Sequence, residues 1–329
     1  MPARLTVYLA DRPARVLTLA EGQEYVLGRD PAAGVFLDDG RVSRRHARLA
    51  YGGAGWEIAD LGSKNGTLVN GVPAASRLPL GGGSWLSLGG VLASFELLTE
   101  QQLRQDTGAE SDRRRSTLAA RRRLADAGSL EAVVCGLLDS AVQLARAERG
   151  FVLLARDGGE LAVAAARGLD AGDLGAAEFS GSVGAVTTAL RTGRAVVTAD
   201  ALADPALGGR ASVVRGGIRA LACVPLVPLA SVTPLVPLPA AAALDRCHGA
   251  LYADSRAPGS AFTELDVEIL EALASQAAVA IAAARLDEEM ERLLADVAAV
   301  SGRPAVLWSE LLAAHATAPG AAGQGASPG

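Results

Sequence analysis

Residues 41–71 read RVSRRHARLAYGGAGWEIADLGSKNGTLVNG, and within them short apolar runs alternate with turn residues at close intervals. HARLAY (46–51), GWEIAD (55–60) and TLVN (67–70) are separated by Gly, Asp and Asn, and Asn70-Gly71 is the dipeptide of a tight hairpin turn. The same texture extends outward. LTVYL, RVLTL, YVLG and GVFL precede the stretch, and WLSL and ASFELL follow it. This spacing predicts an all-β sandwich over residues 1–99.

A chain of 329 residues is too long for one ordinary core, so a second domain is expected. Residues 100–127 are polar and charged, with arginines at 113–115 and 121–123, and read as a linker that becomes helical. From Leu130 the apolar residues Val134, Leu137, Ala141 and Leu144 recur at spacings of four and three, the stripe of an amphipathic helix. Strand-like runs follow at 151–155, 161–166, 195–199, 220–226 and 249–253, with a helical segment over 183–191. Thr263 with Asp266 three residues on reads as a shortened capping box that starts a helix running to about Val300. The fold class is therefore multidomain: an all-β sandwich, then an α+β domain over 128–300 with an antiparallel sheet flanked by helices. Residues 301–329 are an Ala/Gly/Pro tail that cannot bury a core.

The net charge of -5 gives no broad positive field, so nucleic acid and anionic lipid are not expected partners of the whole molecule. The arginine runs of the linker lack interleaved aromatics and read as a solvated helix face. Cys135, Cys223 and Cys247 are odd in number and without CxxC spacing, which fits a reducing cytoplasm and excludes a zinc site. No signal run opens the chain. Every long apolar stretch is read as interrupted before the ~18 residues of a membrane span, so a protein in the cytoplasm and off the membrane is expected.

Four elements fall at loops of the sandwich: Gly28-Arg29, Ser43-Arg44-Arg45-His46, Ser63-Lys64-Asn65-Gly66-Thr67 and Asn70-Gly71. A phosphothreonine carries about -1.5 to -2 charges and three acceptor oxygens, and needs convergent donors. Arg29 offers a planar guanidinium fork, and Ser43 offers a hydroxyl and a backbone N–H read as free. In part, Gly28, Gly66 and Gly71 serve turn geometry. A Ser43/His46/Asp60 hydrolase triad is the enzyme reading, but neither a strand-elbow nucleophile nor an oxyanion loop accompanies it.

With its G-R, S-x-x-H and N-G-T-x-x-N-G elements in order, the stretch from Val7 to Leu98 resembles the forkhead-associated (FHA) family. The resemblance implies that Arg29 and Ser43 contact phosphate and that Asn65 fixes the peptide backbone. Arg44 and Lys64 stand at positions that vary within the family and join the phosphopeptide-binding set, while Gly28, His46, Gly66 and Thr67 are structural. Leu130 to Leu286 resembles the GAF family through phrases such as AERGF (147–151), ARGL (166–169) and VPL (224–226). That implies a small-molecule sensor or dimerisation module. Its departure is a Pro-rich insert, 228–246, read as a projecting surface loop.

Along the last helix Phe262, Leu265, Ile269, Ala272, Gln276, Val279, Ala283, Leu286, Met290, Leu293, Val297 and Val300 alternate by three and four, a heptad seam that predicts a homodimer through 263–300. Thr107 and Thr117 in the linker are candidate phosphorylation sites, Thr117 because arginines precede it. The expected whole is a non-enzymatic adaptor for a threonine-phosphorylated protein in a Ser/Thr kinase pathway, with no metal and no cofactor. Its rivals are a sensor whose GAF ligand is the primary signal and a regulatory subunit in transcription.

Overall fold

Eleven strands fill the first hundred residues of the chain, here a computed structural model. They are β1 (Ala3–Tyr8), β2 (Arg15–Leu19), β3 (Glu24–Gly28), β4 (Val35–Phe36), β5 (Ala47–Gly52), β6 (Gly55–Asp60), β7 (Thr67–Val69), β8 (Val72–Pro73), β9 (Leu78–Pro79), β10 (Ser84–Leu88) and β11 (Val91–Leu97). In β1 the side chains of Ala3, Leu5 and Val7 are buried while Arg4, Thr6 and Tyr8 are not, and β10 and β11 repeat the pattern. One sheet runs β2-β1-β11-β10-β7-β8 and the other β4-β3-β5-β6-β9. Their inner faces share a core of Leu5, Leu19, Leu27, Leu49, Trp56, Ile58, Leu86 and Phe95. Trp56 is buried and donates from Nε1 to the carbonyl of Met1 at 2.9 Å, whereas Trp85 stands half-exposed on the outer face, stacked on Tyr8. The edge strands β8 and β9 escape the sequence reading because each is two residues long and ends in proline, which only an edge tolerates.

The structure describes residues 1–156, 160–169, 180–198, 218–228, 247–257 and 260–301, and they divide into one unit ending at Ala280 and another beginning at Ile281. The Pro-rich insert beyond 228, Phe179 of the GAF-like phrase, and the tail with Trp308 lie outside the described residues.

The linker is helical, as expected. α1 (Glu100–Ala125) opens on a capping box in which Thr99 and Gln102 satisfy each other's backbone N–H groups. α2 (Leu130–Leu144) follows, with Ser129 as its N-cap and Val133, Val134, Leu137, Leu138 and Ala141 buried. The second sheet runs β13-β12-β16-β15-β14, antiparallel throughout, from β12 (Arg149–Ala155), β13 (Leu161–Arg167), β14 (Val196–Thr198), β15 (Ala220–Pro225) and β16 (Gly249–Ser255). α3 (Ser180–Thr192) packs Ala185, Val186, Ala189 and Leu190 on the face that carries Phe151, Cys223 and Tyr252. Burial drives the Cys223 thiol far up, with Cys247 beside it adding to the shift, so it packs as a small hydrophobe. At the end of this sheet Arg149 and Asp254 form a buried ion pair at 2.5 Å.

α4 (Glu264–Ser301) begins on the expected capping box. The N–H and hydroxyl of Thr263 donate to Asp266 Oδ2 at 2.7 and 2.6 Å, and the Asp266 N–H returns to the Thr263 hydroxyl at 3.3 Å. One expectation is corrected here. The span Glu264–Ala299 is long and apolar enough to cross a membrane by length and composition, since the apolar run between Glu271 and Arg285 keeps the mean hydropathy high despite the charges on either side. Ile269, Leu270, Leu273, Ala274, Ala277, Ala278 and Ile281 in it are buried in the protein, which is the behaviour of a core helix.

The arginines of α1 are not simply solvated. Arg114 pairs with Glu268 and Arg115 with Asp112, while Arg113 donates to the Leu144 carbonyl from Nε and Nη2 at 2.9 and 2.5 Å and pairs with Asp266. One guanidinium therefore fastens the C-terminus of α2 to the first turn of α4, each end carrying the sign that favours the contact. A second fastening comes from the sandwich. The N–H of Ala14 donates to the Phe262 carbonyl at 2.8 Å, the Glu264 N–H donates to the Ala14 carbonyl at 3.3 Å, and the Thr198 hydroxyl donates to the Ala10 carbonyl. Thr117 is buried, with its hydroxyl on the Arg113 carbonyl at 2.8 Å, so a kinase cannot reach it in the folded chain; Thr107 is exposed.

The turn between β6 and β7 closes on Asp60, whose carboxylate accepts from Ser63 N–H (2.7 Å), Ser63 Oγ (2.6 Å) and Thr67 Oγ1 (2.6 Å). Burial alone would raise this carboxyl, but the hydroxyls of Ser63 and Thr67 and the N–H groups of Ser63 and Gly62 outweigh it, and the net displacement is below the ordinary value.

Two outcomes follow for stability. Arg113→Ala leaves the buried Asp266 carboxylate without its cation and costs about 3 kcal/mol, read as a lowered urea midpoint by circular dichroism; an unchanged midpoint would mean the pair holds nothing. A depressed carboxyl stabilises the fold fully above its unfolded value of about 3.9 and stops doing so as pH falls through the folded value. Asp60→Asn is therefore expected to cost about 1–2 kcal/mol at pH 7, and the gap between variant and wild type narrows only as pH falls below the unfolded value and through the lower folded one.

Candidate functional site

Four loops meet at one rim of the sandwich: the turns after β3, β4, β6 and β10. They are tied by backbone bonds. Arg29 N–H donates to the Ser43 carbonyl at 3.0 Å, Asp30 N–H to the Arg44 carbonyl at 3.1 Å, and Gly89 N–H to the Gly66 carbonyl at 3.0 Å. Gly28 permits the first approach, since a Cβ there would lie 2.0 Å from the Arg44 carbonyl oxygen. Gly89, at φ 62°, permits the second; its Cβ would lie 2.4 Å from the Arg41 carbonyl oxygen.

His46 is fully buried beneath this rim. Its Nδ1 accepts from the Ser43 N–H and its Nε2 donates to the Gly66 carbonyl, both at 3.0 Å, roles that assign the proton to Nε2. The Ser43 N–H is thus occupied by the ring. This corrects the expectation that it is free for a ligand, and it accounts for the three-residue spacing of S-x-x-H.

The Ser43 hydroxyl accepts from the Lys64 N–H at 3.0 Å, which leaves its own proton to donate. Asn65 donates from Nδ2 to the Arg41 carbonyl at 2.8 Å, so its amide is held between two loops while Oδ1 faces no partner among the described residues. Thr67 is buried on Asp60, and Gly66, at φ 75°, turns its carbonyl to His46. Asn70 and Gly71, at φ 49° and 83°, form the expected two-residue hairpin. The hydrolase triad is not assembled: Asp60 bonds to Ser63 and Thr67, and His46 meets the backbone of Ser43 rather than its hydroxyl.

The electrostatics of the rim stand apart from the rest of the sandwich. Arg4, Arg12, Arg41, Arg48 and Arg77 pair with carboxylates, and Arg15 bonds to the Phe36 carbonyl. Arg29, Arg44, Arg45 and Lys64 are exposed and make no ion pair or side-chain hydrogen bond among the described residues, and all four lie in the rim loops. Arg45 was not among the candidates from sequence. Only the fate of the other cations singles it out. No group of three or more His, Cys, Asp or Glu side chains that could hold a metal ion occurs among the described residues.

These features coincide with similarity to known proteins. The FHA domain model matches residues 25–89 and the GAF domain model matches residues 129–281. The chain is similar to an oxoglutarate dehydrogenase inhibitor of Corynebacterium jeikeium, 41% identical over 71 residues that span 22% of this chain and 49% of that protein. It is similar also to the glycogen accumulation regulator GarA of Mycolicibacterium smegmatis, 47% identical over 51 residues, 16% of this chain and 32% of that protein. The chain thus spans about half or less of the length of these curated relatives. Among solved structures, the FHA domain of the CT664 protein from Chlamydia trachomatis is 30% identical with a TM-score of 0.29, over 30% of this chain and 100% of that one. The chain carries an FHA domain followed by a GAF domain.

Proposed function

We propose that the chain is a signalling adaptor of the cytoplasm whose FHA domain docks on a threonine-phosphorylated protein and whose GAF domain dimerises or senses a small ligand. The observation that carries the reading is the distribution of charge: outside the rim the cations of the sandwich are bonded to carboxylates or a carbonyl, whereas Arg29, Arg44, Arg45 and Lys64, on the same loops as the donor hydroxyl of Ser43, are exposed and unpaired among the described residues. A phosphothreonine supplies the doubly charged, acceptor-rich ester that such a set accommodates. Asn65, braced on the Arg41 carbonyl, keeps an amide oxygen for a peptide N–H. Loops on a rigid sandwich suit this task, because they vary without disturbing the core.

The chain acts by binding rather than by catalysis in this reading. An inhibitor and a regulator among its relatives support that, and the output comes from the bound partner of a Ser/Thr kinase pathway. For the homodimer, the support is the heptad seam of α4. Val279, Leu286, Met290, Leu293 and Val297 follow the seam's three-four spacing and are all large apolar residues left exposed, as pairing with a second copy through α4 requires.

Titration of a phosphothreonine peptide library against wild type and Arg29→Ala tests the site. Loss of one charge-assisted contact weakens binding about 10- to 100-fold. Equal affinity for phosphorylated and unphosphorylated peptides would overturn the adaptor reading. For the seam, Leu286→Glu combined with Leu293→Glu is expected to convert a dimer to a monomer in sedimentation velocity, and a wild-type monomer at high concentration would dispose of it.

A further inference from the structure

Recognition of one phosphate does not use up the charge at the rim. Arg29 and Ser43 answer the ester, and three more cations, Arg44, Arg45 and Lys64, remain exposed around it without a carboxylate partner among the described residues. The other cations of the same domain do not stay bare, even on the rim loops themselves. Arg41, two residues before Ser43, is held by Asp39 through two bonds, Nε to Oδ1 at 3.0 Å and Nη2 to Oδ2 at 2.8 Å; Arg12 takes Asp38 at 2.7 Å and Arg48 takes Glu24 at 3.2 Å. Arg44 and Arg45 are also consecutive, an arrangement that is mildly unfavourable while nothing negative lies between or above them.

Their backbone is fixed. The Arg44 carbonyl accepts from Asp30 N–H, the Cβ-free side of Gly28 lets β3 pass against it, and the Lys64 N–H is bonded to the Ser43 hydroxyl. The charges therefore stand on anchored loops, so that a ligand has to order the side chains but not the backbone that carries them.

We infer that the ligand is a phosphothreonine peptide with carboxylates flanking the modified residue, and that Arg44, Arg45 and Lys64 select it. The inference rests on the phosphopeptide reading above and adds the chemistry of the neighbouring residues. A single exposed ion pair is worth at most about fivefold in affinity, so two or three together give a preference of roughly 5- to 20-fold.

Four peptides of equal length decide the matter by calorimetry on the full chain: phosphothreonine flanked by Ala, by Glu and by Lys, and unphosphorylated threonine flanked by Glu. The Glu-flanked phosphopeptide should bind roughly 5- to 20-fold tighter than the Ala-flanked one and the Lys-flanked one more weakly still, with the ratios shrinking as salt is raised. In Arg44→Ala/Arg45→Ala/Lys64→Ala the Glu-to-Ala ratio should fall toward one, whatever happens to absolute affinity; circular dichroism confirms that these exposed substitutions leave the fold intact. Equal binding of the Ala- and Glu-flanked phosphopeptides, both dependent on Arg29, would overturn the inference and leave the phosphopeptide reading standing. Binding of the unphosphorylated Glu peptide as tightly as its phosphorylated form, or binding of none of the four, would overturn both.

Discussion

An imidazole buried away from water must satisfy both ring nitrogens within the protein, and at His46 that requirement joins the two loops on which the rest of the rim depends. Nδ1 needs a donor and finds the Ser43 N–H; Nε2 needs an acceptor and finds the Gly66 carbonyl. Because the ring is rigid, these two bonds set how far the turn carrying Ser43 stands from the turn carrying Lys64 and Asn65. The remaining contacts then follow at short range: Lys64 N–H on the Ser43 hydroxyl, Asn65 on the Arg41 carbonyl, Gly89 on Gly66. The exposed residues of the rim are thus arranged by a residue that never reaches the surface.

This division explains what could be read from the sequence and what could not. S-x-x-H and N-G-T are short-range patterns, and the groups they carry act within a few residues or across one strand pair. That Ser43, His46 and Asn65 sit together on the loops of one rim was therefore legible. So were α2, α4 and its Thr263–Asp266 box, because a helical stripe and a cap are local. The use of the Ser43 N–H by His46 was not, since only folding shows that the ring turns back on the residue three before it. Strands β8 and β9 were hidden for a different reason. Two residues ending in proline carry no periodicity, and they exist as strands only because a neighbouring edge is there to pair with.

Contacts between distant segments were the least legible. Arg113 lies in a run of three arginines with nothing to separate it from its neighbours, yet it alone of the three is mostly buried, between the end of α2 and the start of α4. Its burial follows from the phase of α1, which turns Arg113, Thr117, Ala120 and Leu124 to the same side, at spacings of three and four. Likewise Ala14 looks like an ordinary hairpin residue, but its N–H and carbonyl are both spent on the segment leading into α4.

Net charge is the last quantity that changes meaning between sequence and structure. The chain totals -5, which rules out a general attraction to polyanions but says nothing about any single patch. Pairing redistributes that total: each arginine tied to a neighbouring carboxylate drops out of the local field within a Debye length, and what remains is set by the cations left over. In the sandwich those are Arg29, Arg44, Arg45 and Lys64, gathered where four loops converge. An acidic protein can thus present a basic rim without any segment being unusually basic. On such a surface a diffuse polyanion meets mostly neutralised arginines, and the cations left unpaired among the described residues of the sandwich stand only on the rim loops.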